Sequence, residues 1–367
     1  MIDSCELAPS YVRSIAAYQP GKPTSELARE MGLEESSIVK LASNENPLGP
    51  SPAATATIEA QIKDLARYPD GSGFELKQTL SRHWKIDPEQ IVLGNGSNDV
   101  LELVGRVFLA PGTSAVFSQH AFAVYPLVVQ ATGATAIKVP ARDYGHDLDA
   151  MVAAVRGDTR VLWIANPNNP TGTFLPAEQV RAALRRIPRK VVVVLDEAYN
   201  EYLPDSLQAD TVPWLADFPN LVITRTFSKV YGLAALRVGY ALAHPDVADL
   251  MNRVRQPFNV GSIGQAAAAA ALGDDAFVAR SRALNTAGMH QIVQGLKPLP
   301  ADHIPSSGNF VCVRVPQAAQ VYQRLLRQGV IVRPVGGYEL PDFLRVTIGL
   351  HAENERFLAA LRSALHA

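Results

Sequence analysis

Short apolar, β-branched runs alternate with stretches of helical spacing along most of this chain. Residues 91–93, 114–118, 135–140, 161–165, 191–195, 221–224 and 238–243 are such runs and read as strands. Behind the first, Val100, Leu103, Val104, Val107 and Phe108 recur at i, i+3, i+4, i+7 and i+8, one face of a helix that Pro111-Gly112 ends. A further helix is expected over 74–84, and Ser25 is a suitable N-cap for one reaching Met31. A short strand is expected at 38–42, whereas 44–50 and 67–71, with their prolines and glycines, read as irregular loops.

Alternation on this scale predicts an α/β fold: a mainly parallel, seven-stranded sheet between helices. Past about residue 261 the pattern changes to alanine-rich helices that run to about 296. Strands at 308–313, 329–333 and 343–347 then flank a helix at 318–327, the outline of a smaller α+β unit. The expected division is an N-terminal arm over 1–40 that goes with the small unit, a large domain over 41–262 and a small one over 263–367.

Composition narrows the function classes. A length of 367 residues suits about two domains. Lysine and arginine number 34 against 35 acidic residues, so charge makes no case for a nucleic-acid or membrane partner. The apolar stretches 191–195 and 266–272 fall well short of the ~20 residues that span a bilayer. Cys5 and Cys312 cannot build a disulfide framework, and residues 1–6 lack a basic segment followed by an apolar one, so a cytoplasmic location is expected. The eight histidines show no metal-ligand spacing, and no metal site is expected.

The chemistry is concentrated in motifs that follow strands, where open α/β sheets present ligands. Gly94-Asn95-Gly96-Ser97-Asn98 comes between a strand and a helix, whose free N–H groups attract an anion. This loop lacks the last glycine of the dinucleotide fingerprint, which counts against a nicotinamide enzyme. Asn166-Pro167-Asn168-Asn169-Pro170-Thr171-Gly172 follows another strand; by itself it is a tight turn made of turn-forming residues. Asp196-Glu197-Ala198-Tyr199 ends an apolar strand, and an aspartate delivered into a closed site needs a donor or a cation. A protonated pyridine nitrogen is one such partner, and a helix N-cap is the plainer alternative. Thr226-Phe227-Ser228-Lys229 follows the strand at 221–224, with Arg237 eight positions after the lysine. A partly desolvated lysine there can lose its proton near neutral pH and attack an aldehyde, whereas a solvated one is only surface. Ser228 and Arg237 supply a hydroxyl and a planar cation, the chemistry a phosphate needs.

Taken together these motifs resemble those of the fold-type-I aminotransferases that use pyridoxal 5'-phosphate, and within them the subfamily acting on histidinol phosphate. Leu41-Ala42-Ser43-Asn44-Glu45-Asn46-Pro47, Arg67-Tyr68-Pro69, Val238-Gly239-Tyr240 and Leu344-Arg345-Val346-Thr347 extend the resemblance from about residue 18 to the C-terminus. Ala235 departs from it, standing where many members have glycine. The resemblance implies that Lys229 carries the cofactor and later serves as the base at the substrate Cα. It implies that Asp196 keeps the pyridine nitrogen protonated, and that Asn166 and Tyr199 bond the ring's phenolic oxygen. Phe122 matches an aromatic that stacks on the ring. Ser97, Asn98, Thr226, Ser228 and Arg237 match the phosphate holders, with Tyr68 reaching in from the other subunit of a homodimer. Tyr18, Asn166, Arg333 and Arg345 are the implied substrate contacts. The implied reaction is transfer of the amino group of histidinol phosphate to 2-oxoglutarate, giving imidazole acetol phosphate and glutamate in histidine biosynthesis. Transfer from phenylalanine or tyrosine, a lyase reaction on the same cofactor, or cofactor binding without turnover are the alternatives.

Overall fold

The computed structural model describes residues 4–17 and 21–366, so Tyr18 lies outside the described residues. Its strands are β1 (Val39–Lys40), β2 (Ile91–Asn95), β3 (Ser114–Ser118), β4 (Thr135–Val139), β5 (Thr159–Ala165), β6 (Val192–Asp196), β7 (Leu221–Thr226), β8 (Val238–Ala243), β9 (Asp302–Ile304), β10 (Phe310–Arg314), β11 (Val330–Ile331), β12 (Arg333–Pro334) and β13 (Phe343–Thr347). The large sheet has seven strands in the order β2-β8-β7-β6-β5-β3-β4. Only β8 runs against its neighbours, β2 and β7; the other pairings are parallel. Every other strand of this sheet therefore ends at one edge, and β8 begins there.

Side chains alternate across the sheet with period two, and each face has its own core. Val92, Phe117, Trp163, Val194, Val222 and Ala241 pack under the helices Ser97–Phe108, Val124–Ala131 and Pro245–Val254. Leu93, Val116, Ile164, Leu195, Ile223 and Leu242 pack under Phe74–Trp84, Ala177–Arg186 and Ser262–Leu272. Burying such a side chain contributes about 1.5–3 kcal/mol, and β6 and β7 stay apolar until their last residues. The same alternation parts the polar residues at those ends. Asp196 follows Val194 to one face, where Tyr125 binds it, while Glu197 follows Leu195 to the other and pairs with Arg225 at 2.6 Å. The Arg225 guanidinium also lies 4.1 Å from the Trp84 ring centroid.

The smaller body holds an antiparallel sheet, β12-β13-β10-β9, and the parallel pair β1-β11. The run expected as one strand at 329–333 is divided, because β11 pairs with β1 whereas β12 turns to β13. Pro334 has no N–H to give and sits on an edge strand, which tolerates that loss. Two elements escaped the sequence pattern. Strand β9 has only three residues, too few to show alternation. The helix Pro52–Gln61 begins at the end of the proline-rich loop, with Pro52 in its first turn and the Ser51 hydroxyl accepting from the Ala54 N–H.

Two helices link the two cores. Ala267, Ala268, Ala271 and Leu272 of the helix Ser262–Leu272 belong to the large core. Along the next helix, Asp275–Leu296, the chain crosses over, and Ile292 and Leu296 join the core of the small body. At the other end, Leu27 of the helix Thr24–Met31 packs with Ala42, Leu326 and Ile331. Among the described residues, no helix is long and apolar enough to cross a membrane, and no cluster of three or more His, Cys, Asp or Glu side chains could hold a metal ion.

Candidate active site

A cavity of about 210 Å³ opens where the parallel strands end, between the large sheet and the small body. Ser97 and Asn98 reach it after β2, Phe122 after β3, Asn169 after β5, Asp196 and Tyr199 from β6, and Lys229 after β7. Arg237 arrives from the opposite direction, just before the reversed strand β8. The small body adds Arg333, Tyr338 and Arg345, and the N-terminal segment adds Ser43 and Asn44. Among the described residues the lining holds Lys229, Arg237, Arg333 and Arg345 against a single carboxylate, Asp196, so the cavity favours anions.

Both oxygens of the Asp196 carboxylate are fixed. Tyr125 donates to Oδ2 at 2.7 Å and Thr224 to Oδ1 at 3.0 Å. Burial nevertheless raises the carboxyl above its ordinary value, since these donors only partly replace water. A cation in the cavity would reverse that direction. The Lys229 amine lies 5.7 Å from the Tyr199 ring centroid and donates to the Ser43 carbonyl at 3.3 Å. Burial, with the neighbouring Arg345 charge, brings its pKa down to about 8. The Tyr199 hydroxyl accepts from Asn44 Nδ2 at 2.9 Å, and burial raises it to about 12, so it stays protonated.

The helix Ser97–Phe108 points its N-terminus at the cavity, and its cap position, Gly96, offers no side chain to the free N–H groups. Two glycines make the arrangement possible. Gly96 has φ +80°, and a Cβ there would lie 2.4 Å from Arg237 Nη2; at Gly239 it would lie 2.3 Å from the Ser97 nitrogen. Arg237 Nη1 donates to Ser228 Oγ at 3.3 Å, and the Ser228 N–H donates to Thr226 Oγ1 at 3.1 Å. Unfilled N–H groups, hydroxyls and a guanidinium thus converge as a phosphate site requires.

At the other end Arg345 is buried inside β13. Its Nη1 donates to Asn169 Oδ1 at 2.6 Å and its Nη2 to the Ala42 carbonyl at 2.8 Å. Its Nε has no partner, and among the described residues no carboxylate pairs with it. A buried cation without a counter-ion is expensive and calls for an anion from outside.

One site expectation changes. Asn166 does not line the cavity: its amide donates to the Leu175 carbonyl at 2.9 Å and its carbonyl accepts from the Leu175 N–H at 2.8 Å. The turn instead brings Asn169 into the cavity, three residues further along the same motif. Tyr68 does not reach the cavity of its own chain; it is 83% exposed and stacks on Phe258 at 4.9 Å. Asn44, Tyr125 and Asn169 are polar groups of the site that the motifs contained without marking them. Tyr125 had a signal, its position three residues after Phe122 across the start of the helix Val124–Ala131, and the rings meet edge-on at 5.9 Å.

Fold and site together define an aminotransferase. The family model "Aminotransferase class I and II" matches residues 36–361, and the chain belongs to that family. Histidinol-phosphate aminotransferase 2 of Nitrosospira multiformis is 63% identical, over 98% of this chain and 92% of its own. Histidinol-phosphate aminotransferase of Methylobacillus flagellatus is 62% identical, over 98% of each. The crystal structure of histidinol-phosphate aminotransferase from Sinorhizobium meliloti, in complex with pyridoxal 5'-phosphate, superposes with a TM-score of 0.90 at 30% identity over 97% of each chain.

Proposed function

We propose that this chain is a histidinol-phosphate aminotransferase that uses pyridoxal 5'-phosphate, with 2-oxoglutarate as acceptor and glutamate as product, in histidine biosynthesis. The observation that carries the reading is Arg345, a buried guanidinium without a carboxylate partner in the cavity that also holds Lys229. One anion site of this kind serves both halves of the reaction, because histidinol phosphate brings a phosphate ester and glutamate a carboxylate. The relatives named above, at 62–63% identity, support the choice of donor.

The donor set fits the cofactor at both ends. The open helix N-terminus, Ser97, Asn98, Thr226, Ser228 and Arg237 would hold its phosphate, and the buried Asp196, without a strong cationic partner, would take the protonated ring nitrogen. When bound, pyridoxal 5'-phosphate supplies an aldehyde that condenses with amines and a ring that takes up the electron pair left at Cα. Lys229, its pKa near 8, accepts the Cα proton and returns it on the other side of the transfer. Asp196, oriented by Tyr125 and Thr224, holds a proton on the ring nitrogen. Tyr199 and Asn169 would donate to the ring's oxygen, and Phe122 would offer its ring for stacking. Arg345 orients the anionic end, with Arg333 beside it.

We further propose a homodimer in which Tyr68 completes the phosphate site of the other copy. Its exposure, with Ile62, Leu65, Phe74 and Phe258 also exposed, supports that assignment. The two bodies act as domains that change over along the helix Asp275–Leu296, and a chain with two cysteines and no disulfide framework fits the cytoplasm.

The test mixes cofactor-loaded protein with histidinol phosphate, phenylalanine or tyrosine and follows loss of the cofactor's visible absorbance. Histidinol phosphate is expected to discharge it fastest, with 2-oxoglutarate restoring it and glutamate appearing. Discharge by an aromatic amino acid and none by histidinol phosphate would refute the donor.

A further inference from the structure

We infer that His120 is a positioning residue: together with Gln119 it clasps the Tyr338-Glu339 turn of the small body and so fixes the wall of the cavity beside Arg333 and Arg345. This deepens the function proposed above and rests on it. His120 is buried, lines no part of the cavity itself and has no role in the chemistry. Its Nδ1–H donates to the Tyr338 carbonyl at 2.7 Å. Its own carbonyl accepts from Asn168 Nδ2 at 3.0 Å, and the next residue, Asn169, holds Arg345. One histidine thus ties the turn that carries Asn169 to the turn that carries Tyr338.

The neighbouring contacts repeat the grip. Gln119 Nε2 donates to Glu339 Oε2 at 2.7 Å, and Lys138 pairs with the same carboxylate. Gln119 Oε1 accepts from the Ala141 N–H at 3.2 Å, which fixes the orientation of the amide. Glu339 has φ +61°, uncommon for a residue with a side chain, so contacts rather than local preference hold the turn. What the turn separates gives the clasp its consequence. Tyr338 and Arg333 line the active-site cavity and also a second, mostly apolar cavity of about 870 Å³ walled by Phe117, Leu127 and Pro334. A released turn would join the two spaces and remove the wall beside Arg333.

The experiment compares cofactor-loaded wild type with His120→Leu, His120→Asn and Glu339→Ala, using 2-oxoglutarate and histidinol phosphate as anionic probes. His120→Leu is expected to raise KM for both by about tenfold, the equivalent of one lost hydrogen bond to a buried carbonyl. The change in kcat is expected to stay within about twofold, as for lost ground-state positioning. His120→Asn, which keeps a donor where Nδ1 stood, should restore KM. Glu339→Ala should raise KM at low salt, with wild type drifting toward it at high salt as the ion pair is screened. A His120→Leu enzyme with a lower melting temperature but unchanged KM values, or equal damage in His120→Asn, overturns the inference. A wild type that prefers an aromatic donor refutes the donor assignment instead, and the clasp is then judged on KM for 2-oxoglutarate.

Discussion

Replacing Arg345 by methionine separates what this residue does for binding from what it costs the fold. In the free protein the guanidinium makes two hydrogen bonds, to Asn169 and Ala42, and has no carboxylate partner among the described residues. Losing them costs about 1.5–3 kcal/mol each, since the donor is charged. Relief of an uncompensated buried charge returns several kcal/mol, as found when buried ions give way to apolar groups of similar volume. The two nearly cancel, so the melting temperature of Arg345→Met should move by only a few degrees. Binding has no such compensation. Truncating one side of a buried, hydrogen-bonded charge pair costs about 2–5 kcal/mol, or roughly 30- to 4,000-fold in kcat/KM. Single-turnover kinetics on both halves of the reaction, beside a thermal melt, provide the assay. A variant that loses kcat/KM with 2-oxoglutarate yet keeps it with histidinol phosphate would refute one anion site for both partners. A fall in melting temperature of 6 °C or so, roughly 4–5 kcal/mol for a chain of this length, would refute the claim that the charge lacks compensation.

Other outcomes follow from the same geometry. Asn169→Ala should lower kcat/KM and shift the cofactor's absorbance maximum, whereas Asn166→Ala should leave the spectrum alone and cost about 2 kcal/mol by unpairing the Leu175 backbone; spectra and denaturant melts check both. Gly96→Ala places a methyl against Arg237 at a positive φ, so cofactor titration should give a Kd at least about tenfold weaker. In cofactor-free protein, acylation of Lys229 should rise with a midpoint near pH 8, because burial and Arg345 lower its pKa. The sign for stability follows: below that pH the folded chain carries a buried ammonium, and between about 8 and the ordinary 10.5 the unfolded chain binds more protons, so stability from this group rises with pH. Denaturant midpoints measured across that window check the sign, and acylation that begins only above pH 10 would show a solvated amine.

Most of the site was legible because its residues stand at strand ends, and strand ends are marked by the point where an apolar run stops. Asp196 and Lys229 could be placed without coordinates for that reason. Asn166 and Asn169 could not be told apart, since both precede a proline in the same turn and only the path of the backbone decides which amide meets Leu175. The run at 329–333 hid a change of partner, because pairing with β1 and then β13 leaves no trace in one strand's own pattern. The helix Pro52–Gln61 was obscured by prolines that break helices internally yet suit the first turn. The helix Asp275–Leu296 carries the chain toward the second core without a break, so no turn residue marks the passage.

The adjacent acids at the end of β6 restrict how this chain can vary. A slip of one residue between β6 and β7 would deliver Glu197 to the vitamin and strand Asp196 among Trp84 and Arg225, exchanging the two acids while leaving the composition untouched. Insertions and deletions near these strands are therefore tolerable only on the far rim of the sheet, where helices hand over to strands, and a family-wide survey of gap positions should find them there.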